Sequence, residues 1–172
     1  MTRGRRRSQP VELVPEGGFS EATFLAEKGF GEKAEGRRWL FPEEVLFLVE
    51  KGDLDAGMSP EEVRKFFSRK RKGFLQRYAV YRDLRTRGYV VRAGAKYGAD
   101  FRVYEKGVKP TRGASREHSK FLVWVLGEHD SLEMKTLVGI NRVAHSVKKS
   151  LVIAVVDKEL DVTYIQNARV LL

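Results

Sequence analysis

The chain predicts an α+β fold: a small, mainly helical N-terminal domain over residues 11–72, then a mixed α/β domain with a central sheet over 73–172. Three observations carry that expectation. Two strong helix starts lie in the first 72 residues. After Gly88 the hydrophobic period switches from helical to alternating. Two apolar runs, 121–126 and 151–156, then flank an amphipathic stretch.

Residues 1–10 form a basic arm carrying Arg3, Arg5, Arg6 and Arg7. It reads as a flexible, solvated tail or as an arm that touches a polyanion. The stretch 17–40 holds short strands or a helix over 20–28, and the sequence leaves both open. Phe41-Pro42-Glu43-Glu44 puts proline in a first helical turn ahead of Val45, Leu46, Leu48 and Val49. Lys51-Gly52-Asp53 stops that helix. Ser59-Pro60-Glu61-Glu62 is a capping box, in which Ser59 caps and Glu62 reaches back. Ser68-Arg-Lys-Arg-Lys-Gly73 reads as a hinge into a helix over 74–87, which Gly88 ends. Strands at 89–95 and 100–106 form a hairpin, with Phe101 and Val103 on one face and Arg102 and Tyr104 on the other. A Gly-, Pro- and charge-rich loop (107–117) leads to the strand at 121–126. A helix over 131–150, a strand at 151–156, an acidic turn (Asp157, Glu159, Asp161) and a terminal strand at 162–172 complete the chain. The helix is expected on one side of the sheet, turning a stripe of Leu137, Ile140, Val143, Ala144 and Val147 toward it.

Charge narrows the function. Residues 64–120 hold 18 Lys and Arg against four acids, Asp83, Asp100, Glu105 and Glu117, so this block supplies more than the whole +10 excess of the chain. A surface that binds a phosphate polyanion is the natural reading. No cysteine is present, which excludes disulfides, thiolate metal sites and cysteine nucleophiles. Three histidines (His118, His129, His145) lack metal-ligand spacing. No run reaches the ~18 apolar residues that cross a bilayer, and no apolar leader follows Met1. A cytoplasmic protein with no membrane partner is expected.

Candidate chemistry lies inside the basic block and on the helix after it. Continued at 100° per residue, the helix brings Arg142 and Lys149 within about 20° of each other, with Lys148 about 100° to the side. Alone, two such cations are solvated surface, Tyr104 is packing, His118 a surface residue, and His145 structural. Together with Tyr104 and His118 they suit RNA, which carries its own nucleophile. Cleavage then needs a base for the 2′-hydroxyl, an acid for the 5′-oxygen and a cation for the phosphorane, with no metal and no cofactor. Histidine moves protons near neutrality, and a phenol acts as base only in a cationic field.

Four collinear segments carry a resemblance: Lys96-Tyr-Gly-Ala-Asp-Phe-Arg-Val-Tyr104, Glu117-His-Ser-Lys-Phe-Leu-Val123, Arg142-Val-Ala-His-Ser-Val-Lys-Lys149 and Leu151-Val-Ile-Ala-Val-Val-Asp157. In order and spacing the chain resembles the catalytic subunit of the archaeal tRNA-intron splicing endonuclease over about 73–172, and more loosely before that. The resemblance implies a nuclease-like catalytic C-terminal domain. It implies Tyr104 as general base, His118 as general acid and Lys149 as stabiliser of the transition state, with Lys148 as its rival. It implies cleavage of bulge–helix–bulge exon–intron junctions in precursor tRNA, leaving a 2′,3′-cyclic phosphate and a 5′-hydroxyl. It also implies that Arg142, with Tyr164 as a weaker companion, clamps a bulged RNA base. The assembly implied is a tetramer, either homotetramer or heterotetramer with a structural subunit. Its subunits pair through the terminal strand and dock by an acidic loop, either 157–161 or 128–130. The basic loop between Tyr104 and His118 is longer than the compact family version and is expected to add RNA contacts. Two other readings compete. A metal-dependent DNA nuclease would need a carboxylate pair that Asp100 and Glu105-Lys106 do not space correctly. A non-catalytic RNA-binding structural subunit would not need the three site residues this chain has.

Overall fold

The computed structural model describes residues 9–34, 36–108 and 119–170. The chain divides into two compact units, 1–74 and 75–172.

The first unit mixes strands with the expected helices. β1 (Gln9–Pro10) runs parallel to β6 (Leu54–Asp55), so the last two residues assigned to the basic arm are strand; the rest of the arm lies outside the described residues. β2 (Glu12–Val14), β3 (Gly17–Ser20), β4 (Glu32–Ala34) and β5 (Arg37–Leu40) form an antiparallel sheet in the order β2-β3-β5-β4, with α1 (Phe24–Glu27) between β3 and β4. The stretch 17–40 thus holds three short strands and a one-turn helix, and the unit carries a sheet that a mainly helical reading does not include. One reason is steric: a Cβ on Gly17 would lie 2.1 Å from the carbonyl oxygen of Leu40, so only glycine admits this close strand pairing.

α2 (Pro42–Glu50) and α3 (Pro60–Lys70) begin where their prolines and caps place them. At α3 the Ser59 hydroxyl accepts the Glu62 amide at 3.3 Å, and the Ser59 amide donates to Glu62 Oε2 at 2.8 Å. The Ser59 amide and the Ser59 hydroxyl, which also donates to Glu62 Oε2 at 2.8 Å, hold the Glu62 carboxyl below its ordinary pKa. Glu44 is fully buried and accepts the amides of Gly31 and Phe41, which ties α2 to the sheet. The basic run at 68–72 is not all hinge. Helix α3 continues through Arg69 and Lys70, where cations complement the carbonyl end of the helix dipole.

The second unit is built on one five-stranded sheet. α4 (Phe74–Thr86) precedes β7 (Val90–Ala93), a 3₁₀ turn (Ala95–Tyr97), β8 (Phe101–Tyr104), β9 (Phe121–Gly127), α5 (Met134–Ser146), β10 (Ser150–Val156) and β11 (Val162–Asn167). The order is β11-β10-β9-β8-β7; β9 and β10 are parallel, and the other pairs antiparallel. α5 is the crossover that a parallel pair requires.

The sheet is covered on both faces, not on one as the sequence suggested. On the α5 side Ala99, Leu122, Ala144 and Leu151 form a buried cluster, joined by Tyr97, Leu137, Ile140 and Val147. Val143, assigned to the same stripe, is 40% exposed. On the other side the Tyr81 ring of α4 lies 6.0 Å from that of Phe101, and Tyr78 and Leu84 are buried with it. Strand alternation therefore puts Phe101 and Val103 toward α4, and Arg102 and Tyr104 toward α5.

Candidate active site

Three chain segments converge at one end of the sheet's three central strands. The Lys120 amide donates to the Val103 carbonyl at 2.9 Å, and the Ser150 amide donates to the Lys120 carbonyl at 3.0 Å. The register Val103↔Phe121 and Ser150↔Phe121, carried one step outward, aligns Tyr104, Lys120 and Lys149 across three strands. Residues 104, 120 and 149, distant in sequence, thus align because β9 pairs with both β8 and β10.

Lys149 stands on the β10 side of this row, but it is not on the helix. α5 ends at Ser146, Val147 caps it, and Lys148 adopts a left-handed φ of 55°. The Lys148 amide bonds the His145 carbonyl at 3.0 Å and the Lys149 amide bonds the Ala144 carbonyl at 2.9 Å, the two bonds of a Schellman turn. The helical projection that grouped Arg142 with Lys149 therefore fails, because the helix stops three residues before Lys149. Lys148 occupies the position where glycine is ordinarily found, at a cost of about 1 kcal/mol. Lys148→Gly is expected to stabilise the protein by about 0.5–1 kcal/mol, and Lys148→Val to destabilise it by at least about 1 kcal/mol; urea unfolding of the pair measures both.

The turn aims Lys149 back across that end of the sheet. Its Nζ donates to the Ser119 carbonyl at 2.6 Å, placing the ammonium beside the residue that follows His118. The same Nζ lies 5.8 Å from the centre of the Tyr97 ring. Burial pulls the Lys149 ammonium below the usual lysine range, Tyr97 offsets part of that, and the charges of Arg102 and Lys96 add to it. Arg102 faces Arg92 across the β7–β8 ladder on the face that carries Tyr104. Tyr104 is 6% exposed, its ring packed into the sheet. His118 and most of the long basic loop, 109–118, lie outside the described residues.

The two residues expected to contact RNA are not brought together within one chain. Arg142 is exposed on α5, four residues before its end. Tyr164 pairs with Ala154 on the face turned away from α5, and its hydroxyl donates to Asp83 Oδ2 of α4 at 2.7 Å. Burial pushes the Tyr164 phenol well above its ordinary pKa, and the Asp83 bond and charge push it further. Arg87 donates to the same Asp83 oxygen at 2.8 Å.

The carboxylates of the competing metal-nuclease reading are engaged elsewhere. Asp100 accepts the Val125 amide at 2.8 Å and is pushed up in pKa by burial; Glu105 pairs with Lys120. Among the described residues no three His, Asp or Glu side chains are grouped as a metal would require. Among the same residues, no helix is long and apolar enough to cross a membrane. The two acidic segments considered for docking are neighbours: Glu128 Oε1 accepts the Lys158 amide at 3.1 Å, and the Glu128 amide donates to Val156. They lie at the ends of β9 and β10, while Lys120 and Lys149 lie at the starts of the same strands.

Sequence reasoning assigned no role to Tyr97, Lys96, Arg102 or Ser119. The one available signal was an aromatic residue inside a polar hairpin turn, a place where it stays exposed unless the turn folds back on a core.

A family model described as tRNA intron endonuclease, catalytic C-terminal domain, matches residues 74–164. A second, tRNA-splicing endonuclease subunit sen54 N-term, matches residues 2–56. Similar curated proteins are the tRNA-splicing endonucleases of Thermococcus kodakarensis, 39% identical over 140 residues (78% of this chain, 79% of that one), and of Methanopyrus kandleri, 42% identical over 139 residues (77% and 74%). That of Methanothermobacter thermautotrophicus is 41% identical over 140 residues (78% and 79%). By the catalytic-domain match and by identity over more than two thirds of its length, the chain belongs to the tRNA intron endonuclease family of tRNA-splicing enzymes.

Proposed function

We propose that this chain cuts the exon–intron junctions of precursor tRNA at bulge–helix–bulge motifs, by acid–base catalysis without metal. The 2′-oxygen attacks phosphorus as the P–O5′ bond breaks. Tyr104 takes the 2′-hydroxyl proton, His118 gives a proton to the departing O5′, and Lys149 faces the charge that builds on the non-bridging oxygens. The products are a 2′,3′-cyclic phosphate and a 5′-hydroxyl. The observation that carries this reading is the Lys149 ammonium held at the Ser119 carbonyl, next in sequence to His118 and in register with Tyr104.

Arg142 supplies the cation of a base clamp, reaching RNA held by another subunit; guanidinium stacking reads a bulge without reading its sequence. Tyr164 keeps only its ring for that clamp, because its hydroxyl is committed to Asp83. The functional assembly is a tetramer, of this chain alone or with a structural partner, joined by the terminal strand and docked through the joint acidic edge of 128–130 and 157–161. The long basic segment 107–116, between Tyr104 and His118 in sequence, adds cations for the RNA.

The test is cleavage of a bulge–helix–bulge RNA in excess EDTA, with analysis of the new ends. Cyclic phosphate and 5′-hydroxyl ends are expected, and His118→Ala is expected to slow cleavage by about 10²–10⁴-fold. Cleavage abolished by EDTA, or ends bearing a 5′-phosphate, would overturn the reading. Full activity of the His118→Ala assembly would make the chain a structural subunit instead.

A further inference from the structure

Tyr97 sits in a turn built to fold back. Its amide bonds the Gly94 carbonyl at 2.8 Å, and Gly98 closes the turn with a φ of +69°. A Cβ on Gly94 would lie 2.8 Å from the Phe101 carbonyl carbon, so the chain cannot pass there with a larger residue. The turn therefore lays the Tyr97 ring over the edge of the Ala99, Leu122, Ala144 and Leu151 cluster. Two ammonium groups lie over that ring, Lys96 Nζ at 4.9 Å and Lys149 Nζ at 5.8 Å from its centre. An ammonium has three donors, and Lys149 uses one on the Ser119 carbonyl.

A four-carbon side chain beside other cations would otherwise swing into solvent. The like charges of Lys96 and Arg102 disfavour the ammonium where it sits. The negative face of an aromatic ring opposes it, an attraction that corresponds to about twofold to fivefold in population at partly exposed sites.

We propose that Tyr97 is a positioning residue for Lys149, its ring face holding the ammonium at the Ser119 carbonyl with two donors left for a phosphate. This rests on the reading of Lys149 as the group that faces the scissile phosphate. The role belongs to the ring rather than to the hydroxyl.

The full-length chain tests it. Lysine amines are reductively methylated with ¹³C, the Lys149 signal is assigned by its loss in Lys149→Arg, and its titration is followed in Tyr97→Leu and Tyr97→Phe. Tyr97→Leu is expected to move the Lys149 titration to lower pH and to lower the single-turnover cleavage rate about threefold to tenfold, with KM changed less than twofold. Tyr97→Phe is expected to restore the wild-type titration. An unchanged Lys149 titration in folded Tyr97→Leu would overturn the proposal. Should that variant not fold, the wild-type protein decides: cross-relaxation between the Lys149 methyls and the Tyr97 ring protons is expected, and its absence overturns the proposal. Loss of the Lys149 catalytic role would appear separately, as undiminished cleavage by Lys149→Ala with the Tyr97-dependent titration intact.

Discussion

Lys149→Ala is expected to slow single-turnover cleavage of a bulge–helix–bulge RNA by about 10²–10³-fold, the loss that follows removal of one preorganised donor from a developing oxyanion. RNA affinity should change by less than about threefold, because one cation added to the 18 of the 64–120 block contributes little to binding that is spread over several phosphates. A loss confined to the chemical step separates transition-state stabilisation from simple anchoring. The pH profile supplies a second check. The working form is the ammonium, present below its pKa. Burial lowers that pKa, with Arg102 and Lys96 adding to the shift. Activity should therefore fall with rising pH at values below those of an ordinary lysine, and this limb should vanish in the alanine variant. Unchanged cleavage by Lys149→Ala, or a limb that persists in it, would remove Lys149 from the mechanism.

Much of this architecture was legible because its signals are local. Ser59 and Glu62 announce a capped helix, and in the structure they make both bonds of the box. Gly88 ends α4 with a φ of +91°, a conformation that glycine adopts at no steric cost. The two apolar runs become β9 and β10, buried as a parallel pair with its crossover helix. What stayed hidden depends on tertiary contact. The end of α5 is one case: Val147-Lys148-Lys149-Ser150 continues the helical stripe, and no glycine marks the left-handed residue at Lys148. The ladder to β9 claims Ser150 and overrides the local preference. The four-stranded N-terminal sheet is another case, since its strands are three or four residues long and depend on close approaches such as Gly17 to Leu40. Tyr104 and Lys149 were singled out by collinear motifs, whereas the helical projection used to choose between Lys149 and Lys148 referred to a helix that does not extend so far. Tyr97 was visible only as a residue of a hairpin turn.

Tyr104→Phe removes one oxygen from a ring that stays packed, and is expected to lower the cleavage rate by about 10²–10⁴-fold, the range of general base catalysis. The ring is 6% exposed at the end of β8, so its burial supports the sheet as well as the site. The phenylalanine variant keeps that burial. Its stability should match the parent within about 1 kcal/mol, equivalent to about 2–4 °C in Tm for a chain of this length. Tyr104→Ala, by contrast, should cost about 3–5 kcal/mol through the cavity it leaves, and would confuse catalysis with folding. The contrast matters because a buried tyrosine at a strand end is more often a packing residue than a base. Packing alone predicts that the phenylalanine variant cuts RNA at the parent rate. A base predicts a large loss of rate with an intact melting transition. Arg102 lies two residues away, opposite Arg92, so cations share the face that carries Tyr104.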